Sequence, residues 1–217
     1  MGEGGTYHSH AMMRPATVLP VLLAALPLNA HDGVISIAVP GRDIVVEQVL
    51  SILGARSTFA VHNHHNFAWR EKHRGADLLV IRKGATPCRP GQLGFIGGSM
   101  ADISVIVRGV DAPESIQALT STVHGAGRIM SRTAAAGKMN WKTKRRQGGQ
   151  ISLEAMQAAV RRAGVHLKGA GPDEAPQVYR KLDGVLKAHE ETLEVLHVLH
   201  PAGVVMAGTD EFDPYKD

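Results

Sequence analysis

The run at residues 121–132, STVHGAGRIMSR, constrains the local fold more than any other part of the chain. His124 is followed directly by Gly-Ala-Gly-Arg, so its imidazole lies beside a backbone that carries almost no side chains. Glycine lets the main chain approach a bulky anion closely, and successive N–H groups together with an arginine can neutralise phosphate. The run therefore predicts a histidine nucleophile beside a phosphate-binding loop, as in phosphoryl or nucleotidyl transfer. The alternative interpretation is a glycine-rich turn around a structural histidine.

Two further runs bear on that choice. Residues 62–66, HNHHN, place three histidines and two asparagines in five positions, the richest concentration of metal-ligand side chains in the sequence. Arg-Lys-Gly-Ala at residues 82–85 leads to the glycine-rich stretch GQLGFIGGSM at residues 91–100, and then to Ser104. Short motifs are weak evidence one at a time, whereas three in a fixed order are far more specific.

The order and spacing of these runs closely resemble those of the RtcB family, the GTP-dependent RNA ligases of tRNA splicing and RNA repair. The family pattern is a His-Asn pair, then Arg-Lys-Gly-Ala, then Pro-Gly-Ser-Met, then His-Gly-Ala-Gly-Arg. This chain matches the pattern across about residues 40–208, with Gly97 in place of the proline as the one substitution inside the core motifs. That glycine is expected to loosen the loop without removing a hydrogen-bond donor.

The resemblance implies which residues hold the ligands. His124 matches the nucleophile that forms a covalent adduct with GMP, the cofactors being GTP and Mn²⁺. His65 matches a manganese ligand and also contacts the nucleotide, while His62 and His64 are expected to be neighbours of the ligand. The other positions that match nucleotide-binding residues are Asn66, Lys83, Gly97, Gly98, Ser99, Met100, Ser104, Gly125, Ala126, Gly127, Tyr179 and Met206.

Two departures from the family pattern limit what the sequence predicts. Met206 stands where the family commonly has a lysine that contacts the nucleotide, and a methionine cannot donate a hydrogen bond. The family's other metal ligands are an aspartate, a cysteine and two further histidines, and no Asp-x-x-Cys pair precedes His65 here. We therefore expect the C-terminal half of the ligase, with manganese held weakly by His65 alone.

Charge and cysteine content bear on partners and location. The formal net charge of +4 suits a polyanion such as RNA or a nucleotide. The lone Cys88 excludes an internal disulfide and suits a reducing cytosol. The apolar stretch at residues 18–28 imitates a secretory signal peptide, but it is too short to span a bilayer and contains two prolines. We expect a cytoplasmic protein with no membrane partner.

The pattern of apolar residues predicts an α+β fold. The resemblance implies that this fold is a partial, C-terminal version of the family's mixed sheets and helices. By the same resemblance, we expect residues 1–40 to be a poorly matched N-terminal extension and residues 41–217 to be the C-terminal half of an RtcB-like catalytic domain. Helical spacing predicts one helix through residues 44–53 that ends at Gly54, one after Ser152, and one that carries residues 178–186. Strands are predicted at residues 76–81 (buried, feeding an Arg82-Lys83 turn), 102–108, 193–199 and 203–206.

A basic stretch at residues 138–146 contains five lysines and arginines around Trp141. Basic side chains with an aromatic can hold an RNA backbone and stack a base. Charge runs are also commonly just solvated loops, and that interpretation stays open here.

The resemblance implies an enzyme that joins RNA 3′-phosphate or 2′,3′-cyclic phosphate ends to 5′-hydroxyl ends through a GMP-histidine intermediate. Its partners are then RNA (tRNA halves or broken RNA ends), GTP, and a separately encoded N-terminal half or an activating protein. The main alternative is a truncated, catalytically incomplete remnant that binds a nucleotide or RNA. A metal-dependent phosphohydrolase is disfavoured because residues 62–66 contain no aspartate.

Overall fold

The structure is a computed structural model that describes residues 24–25, 37–38, 40–57, 59–140, 142–143 and 145–206. The chain divides into two compact units, Met1–Phe59 and Ala60–Asp217. The sequence-based boundary between residues 40 and 41 stays a prediction.

The first unit contains two short antiparallel strands, β1 (Ala24–Ala25) and β2 (Ile37–Ala38), and one helix, α1 (Pro40–Leu53). The predicted helix is therefore confirmed, and it ends where predicted, because Gly54 adopts φ +60° directly after it. Within the described ranges, no helix is both long enough and apolar enough to cross a membrane.

The second unit mixes short strands and short helices, which confirms the α+β class. Its strands are β3 (Asn66–His73), β4 (Ala76–Lys83), β5 (Ala85–Pro87), β6 (Leu93–Ile96), β7 (Ser104–Gly109), β8 (Ser121–Val123), β9 (Lys138–Asn140), β10 (Arg145–Gln147), β11 (His166–Lys168), β12 (Leu193–Leu199) and β13 (Gly203–Val205). Its helices are α2 (Pro113–Gln117), α3 (Arg132–Ala136), α4 (Leu153–Arg162) and α5 (Leu182–Lys187), with two 3-10 turns at Pro172–Glu174 and Pro176–Val178.

A three-stranded antiparallel sheet in the order β12-β7-β6 carries the largest apolar core of this unit. Val105 and Val107 are almost completely buried, as the alternation at residues 102–108 predicts. They pack in one cluster with Ile96 of β6, Leu182 of α5 and Ala126. Each fully buried aliphatic side chain contributes roughly 1.5–3 kcal/mol. Ala126 is thus anchored in this core, two residues after His124.

The prediction of a buried strand at residues 76–81 is wrong in its burial. A strand is present and continues through Lys83, so the turn follows it at Gly84 instead of at Arg82-Lys83. Val80 and Arg82 are buried, whereas Leu79 and Ile81 are 63% and 74% exposed. The physical reason is that, among the described residues, β4 pairs with β3 alone in a two-stranded hairpin, so alternate residues face solvent instead of a second layer.

The remaining expectations are met in part. Ser152 caps α4 as predicted, since its hydroxyl accepts a hydrogen bond from Ala155 N at 3.1 Å. The helix predicted through residues 178–186 is interrupted, because Tyr179 adopts an extended conformation and forms a β-bridge with Arg128. The strands predicted at residues 193–199 and 203–206 are β12 and β13.

The basic stretch at residues 138–146 folds as an antiparallel hairpin of β9 and β10, with Arg145 opposite Asn140. Trp141 and Lys144, on which part of the RNA-binding interpretation depends, lie outside the described residues.

Candidate active site

His124 follows β8, at the point where that short strand leaves its antiparallel partner β5. Its Nδ1 lies 2.6 Å from the carbonyl oxygen of Gly84, which adopts φ +70° in the turn between β4 and β5. A carbonyl oxygen can only accept, so Nδ1 carries the proton and donates it. In a neutral imidazole this leaves the lone pair on Nε2. His124 itself is exposed.

The turn that receives the His124 hydrogen bond is itself held by the predicted histidine-asparagine pair. Gly84 N donates to His65 O at 2.8 Å and to Asn66 Oδ1 at 3.2 Å. The His65 ring stacks on the His124 ring, with 5.0 Å between centroids and 11° between planes. Lys83 is the register partner of Asn66 at the same end of the hairpin. Four residues predicted from three separate motifs therefore lie together.

The glycine-rich loop after β6 is bonded directly to the backbone around His124. Gly97 N donates to His124 O at 3.3 Å, and Ala126 N donates to Gly97 O at 2.9 Å, which makes a short parallel bridge between Gly97 and Gly125. A proline at position 97 has no N–H, so the substitution of glycine for the family's proline adds a bond between two predicted motifs. The expectation of a looser loop is thus offset by this contact.

The side chains of Ser104 and Asp102 accept hydrogen bonds that hold the same loop. Gly98 N donates to Ser104 Oγ at 3.2 Å, and a side chain at Gly98 would collide with the carbonyl group of Ile103. Asp102 accepts from Leu182 N at 3.1 Å, while its own N donates to Ser99 O at 3.1 Å. Glycine is therefore required at position 98 by close backbone packing. Asp102, which sequence reasoning did not assign to the site, ties the loop to α5.

Tyr179 joins the site through Arg128, the arginine that follows the glycine run. The Arg128 guanidinium lies 5.0 Å from the centre of the Tyr179 ring and donates to its hydroxyl at 2.9 Å. That hydroxyl donates to the carboxylate of Glu174, which also pairs with Arg132. These contacts hold the segment after Gly127, and through them the Tyr179 hydroxyl is bonded to two charged groups, Arg128 and Glu174.

Met100 and Met206 contribute through packing. Met100 is 8% exposed, in an apolar cluster that includes Val160 of α4 and is contacted by Val204 of β13. Met206 follows β13, where its N donates to Lys168 O at 3.0 Å. Met206 is therefore connected to the glycine-rich loop through β13, because Val204 of β13 packs against the cluster that contains Met100.

A buried ion pair missed by sequence reasoning supports the whole arrangement. The Arg82 side chain is 1% exposed and donates to both Glu71 oxygens at 2.8 and 2.9 Å, to Ser121 Oγ at 2.8 Å and to Leu119 O at 2.8 Å. It also lies 5.0 Å from the centre of the Trp69 ring. This clamp joins the hairpin to the start of β8, three residues before His124. The sequence contained an indication of this ion pair. Glu71 and Trp69 are two residues apart on β3, so their side chains lie on the same, inward face of the strand.

The electrostatics of Glu71 follow from this clamp. Burial by itself would raise the pKa of the carboxyl, but hydrogen bonds from Arg82 and His73 and the charges of Arg82 and Arg89 outweigh it. The pKa of Glu71 is lowered from 4.5 to about 2. Glu71 is thus ionised at neutral pH, where it acts as a structural anion.

The histidine cluster does not form a complete metal site. The His62 and His64 rings are 5.0 Å apart, and His65 stacks on His124. Across the described ranges, no group of three or more His, Cys, Asp or Glu side chains is arranged to hold a metal ion. Burial raises the pKa of the Cys88 thiol, which favours its protonated form.

Comparisons with known proteins place these motifs in context. A family model described as tRNA-splicing ligase RtcB matches residues 37–207. RNA-splicing ligase RtcB of Escherichia coli (strain K12) is 32% identical over 169 residues, which cover 73% of this chain and 38% of that relative. RNA-splicing ligase RtcB of Mycobacterium bovis is 30% identical over 204 residues, 78% of this chain and 44% of the relative. tRNA-splicing ligase RtcB of Pyrococcus furiosus is 29% identical over 163 residues, which cover 64% of this chain and 16% of that relative. The chain spans less than half the length of each of these relatives.

Proposed function

The chain belongs to the RtcB family, and on that basis we propose that it acts in joining RNA 3′-phosphate or 2′,3′-cyclic phosphate ends to 5′-hydroxyl ends, with His124 as the residue that carries GMP. The observation that supports this most directly is the hydrogen bond from His124 Nδ1 to Gly84 O. It favours the tautomer with the lone pair on Nε2, in a residue that is exposed. That is what a histidine needs in order to act as a nucleophile without a separate base.

The first step of the proposed reaction is guanylation. The Nε2 lone pair of His124 attacks the α-phosphorus of GTP, the bond from that phosphorus to the bridging oxygen breaks, and pyrophosphate leaves. The imidazole gains positive character as the N–P bond forms, and the proton on Nδ1 stays hydrogen-bonded to the Gly84 carbonyl. Because the carbonyl dipole points its negative end at this proton, it stabilises the charge that develops.

The second and third steps move the guanylate to RNA and then seal the strand. Water first opens a 2′,3′-cyclic phosphate to a 3′-phosphate. An oxygen of that phosphate attacks the guanylate phosphorus, the N–P bond breaks, and His124 is regenerated. The RNA 5′-hydroxyl then attacks the activated 3′-phosphorus, GMP leaves, and a 3′,5′-phosphodiester is formed.

We propose that the nucleotide lies between the Gly97–Ser99 loop and the run that follows His124. The bridge between Gly97 and Gly125 brings the two glycine-rich backbones side by side, and neither carries a side chain that would keep a phosphate away. Ser99 adds one hydroxyl, and the exposed Lys83 adds a positive charge beside the Gly84 turn.

We propose manganese as the metal of the reaction, with His65 as one of its ligands. The residues that the structure describes do not complete such a site, and an isolated imidazole does not fix a coordination geometry. The other ligands must then come from outside these residues. In the proposed scheme the chain's own contribution is the nucleophile, its tautomer and the nucleotide loop.

The share of the relatives that the chain spans, 38% for the Escherichia coli protein, supports a further element of the proposal. We propose that turnover requires a segment corresponding to the rest of the ligase. Without it, the expected behaviour is that of the alternative function, namely binding of nucleotide or RNA without ligation.

Labelling with GTP that carries a radioactive α-phosphate tests the proposed nucleophile. With manganese and the N-terminal part of the Escherichia coli relative, the protein should become labelled at His124, and the protein without that part is assayed in parallel. The label should be lost in acid and on treatment with hydroxylamine, as expected of a phosphoramidate. His166→Ala, which removes an exposed histidine from β11, is the matched control and should label normally. Labelling that survives His124→Ala would refute the assignment.

The chemistry of the RNA ends gives a second test. The labelled protein should transfer its guanylate to RNA with a 3′-phosphate and then seal it to a 5′-hydroxyl end. Joining of 5′-phosphate to 3′-hydroxyl ends would contradict the proposed reaction.

A further inference from the structure

A second basic feature lies at the other end of the β3–β4 hairpin, away from His124. An open cleft of about 620 Å³ separates the hairpin tip from the segment after β5. Four of the residues that line it are cationic, namely Arg70, Lys72, Arg74 and Arg89. None of the sequence motifs described above includes this cleft.

The one carboxylate of the cleft does not cancel these charges. Glu71 also lines it, but both of its oxygens accept hydrogen bonds from the buried Arg82, and His73 Nε2 lies 2.7 Å from one of them. Arg89 reaches the same carboxylate while its side chain stays 45% exposed. With Glu71 neutralised by Arg82, the four cations leave an excess of positive charge at the cleft, and such an excess attracts anions. The chemistry therefore fits a ligand with several negative charges.

The hairpin turn gives an independent indication that the charge at its tip has a role. Arg74 and Gly75 are the two central residues of the turn and adopt φ values of 50° and 81°. Two-residue turns with positive φ at both positions strongly favour Asn, Asp or Gly at the first one. For a long side chain such as arginine the left-handed conformation is unfavourable. Arg74 thus occupies a position at which asparagine, aspartate or glycine would make the turn more stable.

The position of the cleft relates it to the proposed active site. β3 runs from Asn66, which contacts the Gly84 turn, to His73 at the cleft. Seven steps along a strand at about 3.3 Å each separate the two ends by about 23 Å. A flexible polyanion whose end lies at His124 can therefore reach the cleft along the hairpin.

We propose that this cleft binds the phosphate backbone of the RNA whose end reacts at His124, as an anchoring site remote from the chemistry. The identity of the polyanion as RNA rests on the proposed function, whereas the site itself rests on the four cations and the turn. Arg74 is its most informative residue, because it touches neither the Glu71–Arg82 clamp nor the nucleotide loop by any contact described above. Its role is to hold RNA in place, with no part in guanylation.

The test measures binding of single-stranded RNA with unreactive hydroxyl ends, by fluorescence anisotropy over a series of salt concentrations and without GTP. Arg74→Asn should weaken binding by about fivefold at 0.1 M salt and reduce the slope of log K against log salt by about 0.7, as for one lost phosphate contact. Arg74→Asn with Lys72→Gln should weaken binding by about twentyfold. Because asparagine suits the turn, the midpoint of thermal unfolding should stay the same or rise.

Two controls separate this site from general electrostatics and from the proposed function. Arg162→Gln removes an equal charge from the exposed end of α4 and should leave RNA binding unchanged. His124→Ala should lose GTP labelling and keep the Arg74-dependent RNA binding, so failure of one proposal is distinguishable from failure of the other. Equal loss in Arg74→Asn and Arg162→Gln, or no loss in either, overturns the proposed site.

Discussion

Replacing Glu71 by glutamine should expose how strongly the buried clamp stabilises the fold. The glutamine keeps the size of the side chain but removes the negative charge that faces Arg82. The Arg82 side chain is 1% exposed, so it would be left as a buried cation with only neutral partners. Breaking a buried ion pair from one side commonly costs 3–5 kcal/mol, because the remaining charge is uncompensated.

The pKa of Glu71 gives an independent magnitude. It is about 2 in the fold and 4.5 ordinarily, and each pKa unit is worth about 1.4 kcal/mol. Because the folded pKa is the lower one, ionised Glu71 stabilises the native state by about 3 kcal/mol at pH values above about 5. That contribution is lost as the pH falls through 4.5 towards 2.

Urea unfolding followed by circular dichroism, at a series of pH values, measures both effects. Glu71→Gln should be less stable than the unchanged protein by about 3 kcal/mol at pH 7, and the difference should shrink steadily below about pH 4.5. Glu194→Gln is the matched control, because Glu194 pairs with Arg108 at 3.2 Å with both side chains about half exposed. Such an exposed pair contributes at most about 1 kcal/mol.

Two results would refute this reasoning. One is an equal loss of stability in Glu71→Gln and Glu194→Gln, which would mean that burial gives the Glu71 pair no special weight. The other is a difference between Glu71→Gln and the unchanged protein that stays constant from pH 7 to pH 3. If Glu71→Gln does not fold, the pH dependence of the unchanged protein still tests the point, since it must lose stability in the same range.

Three further predictions follow from the site and its supports. Met206→Lys restores the donor common in the family and should tighten GTP binding by roughly tenfold, as for one hydrogen bond to a charged group, measured by equilibrium dialysis; unchanged affinity would mean that position 206 does not reach the nucleotide. The 217-residue chain should bind manganese weakly in calorimetry; His65→Ala should remove that binding while His62→Ala and His64→Ala change it little, and tight stoichiometric binding would contradict the incomplete site. Ser152→Ala should lower the free energy of unfolding by about 1 kcal/mol, since Ala155 N loses its partner in the cap; a neutral effect in urea unfolding would show that the cap is dispensable.

Motifs of a few residues were readable from the sequence because their chemistry is local. The run after His124, the histidine-asparagine pair and the Arg-Lys-Gly-Ala turn identified the family before any contact was known. Local signals also located α1, α4 and β7, because a capping serine, a closing glycine or an alternation of apolar residues acts within one element.

Contacts between distant parts of the chain were not readable, because no local pattern records which elements meet. The bond that fixes the His124 tautomer joins residues 40 positions apart, and the bond from Arg82 to Ser121 joins residues 39 apart. The exposure of Leu79 and Ile81 likewise depends on which layers cover a hairpin, not on the hairpin's own residues.

The sequence by itself therefore determined which residue types this protein has for its chemistry and in what order they occur. The tertiary structure decided that Nδ1 of His124 donates to the Gly84 carbonyl, which leaves Nε2 unprotonated. It also decided that the buried Glu71 and Arg82 hold the start of β8, the strand that precedes His124. The physical reason is that reactivity at a histidine depends on hydrogen-bond partners a few ångströms away. In this chain those partners are supplied by turns and strands that fold back from distant segments.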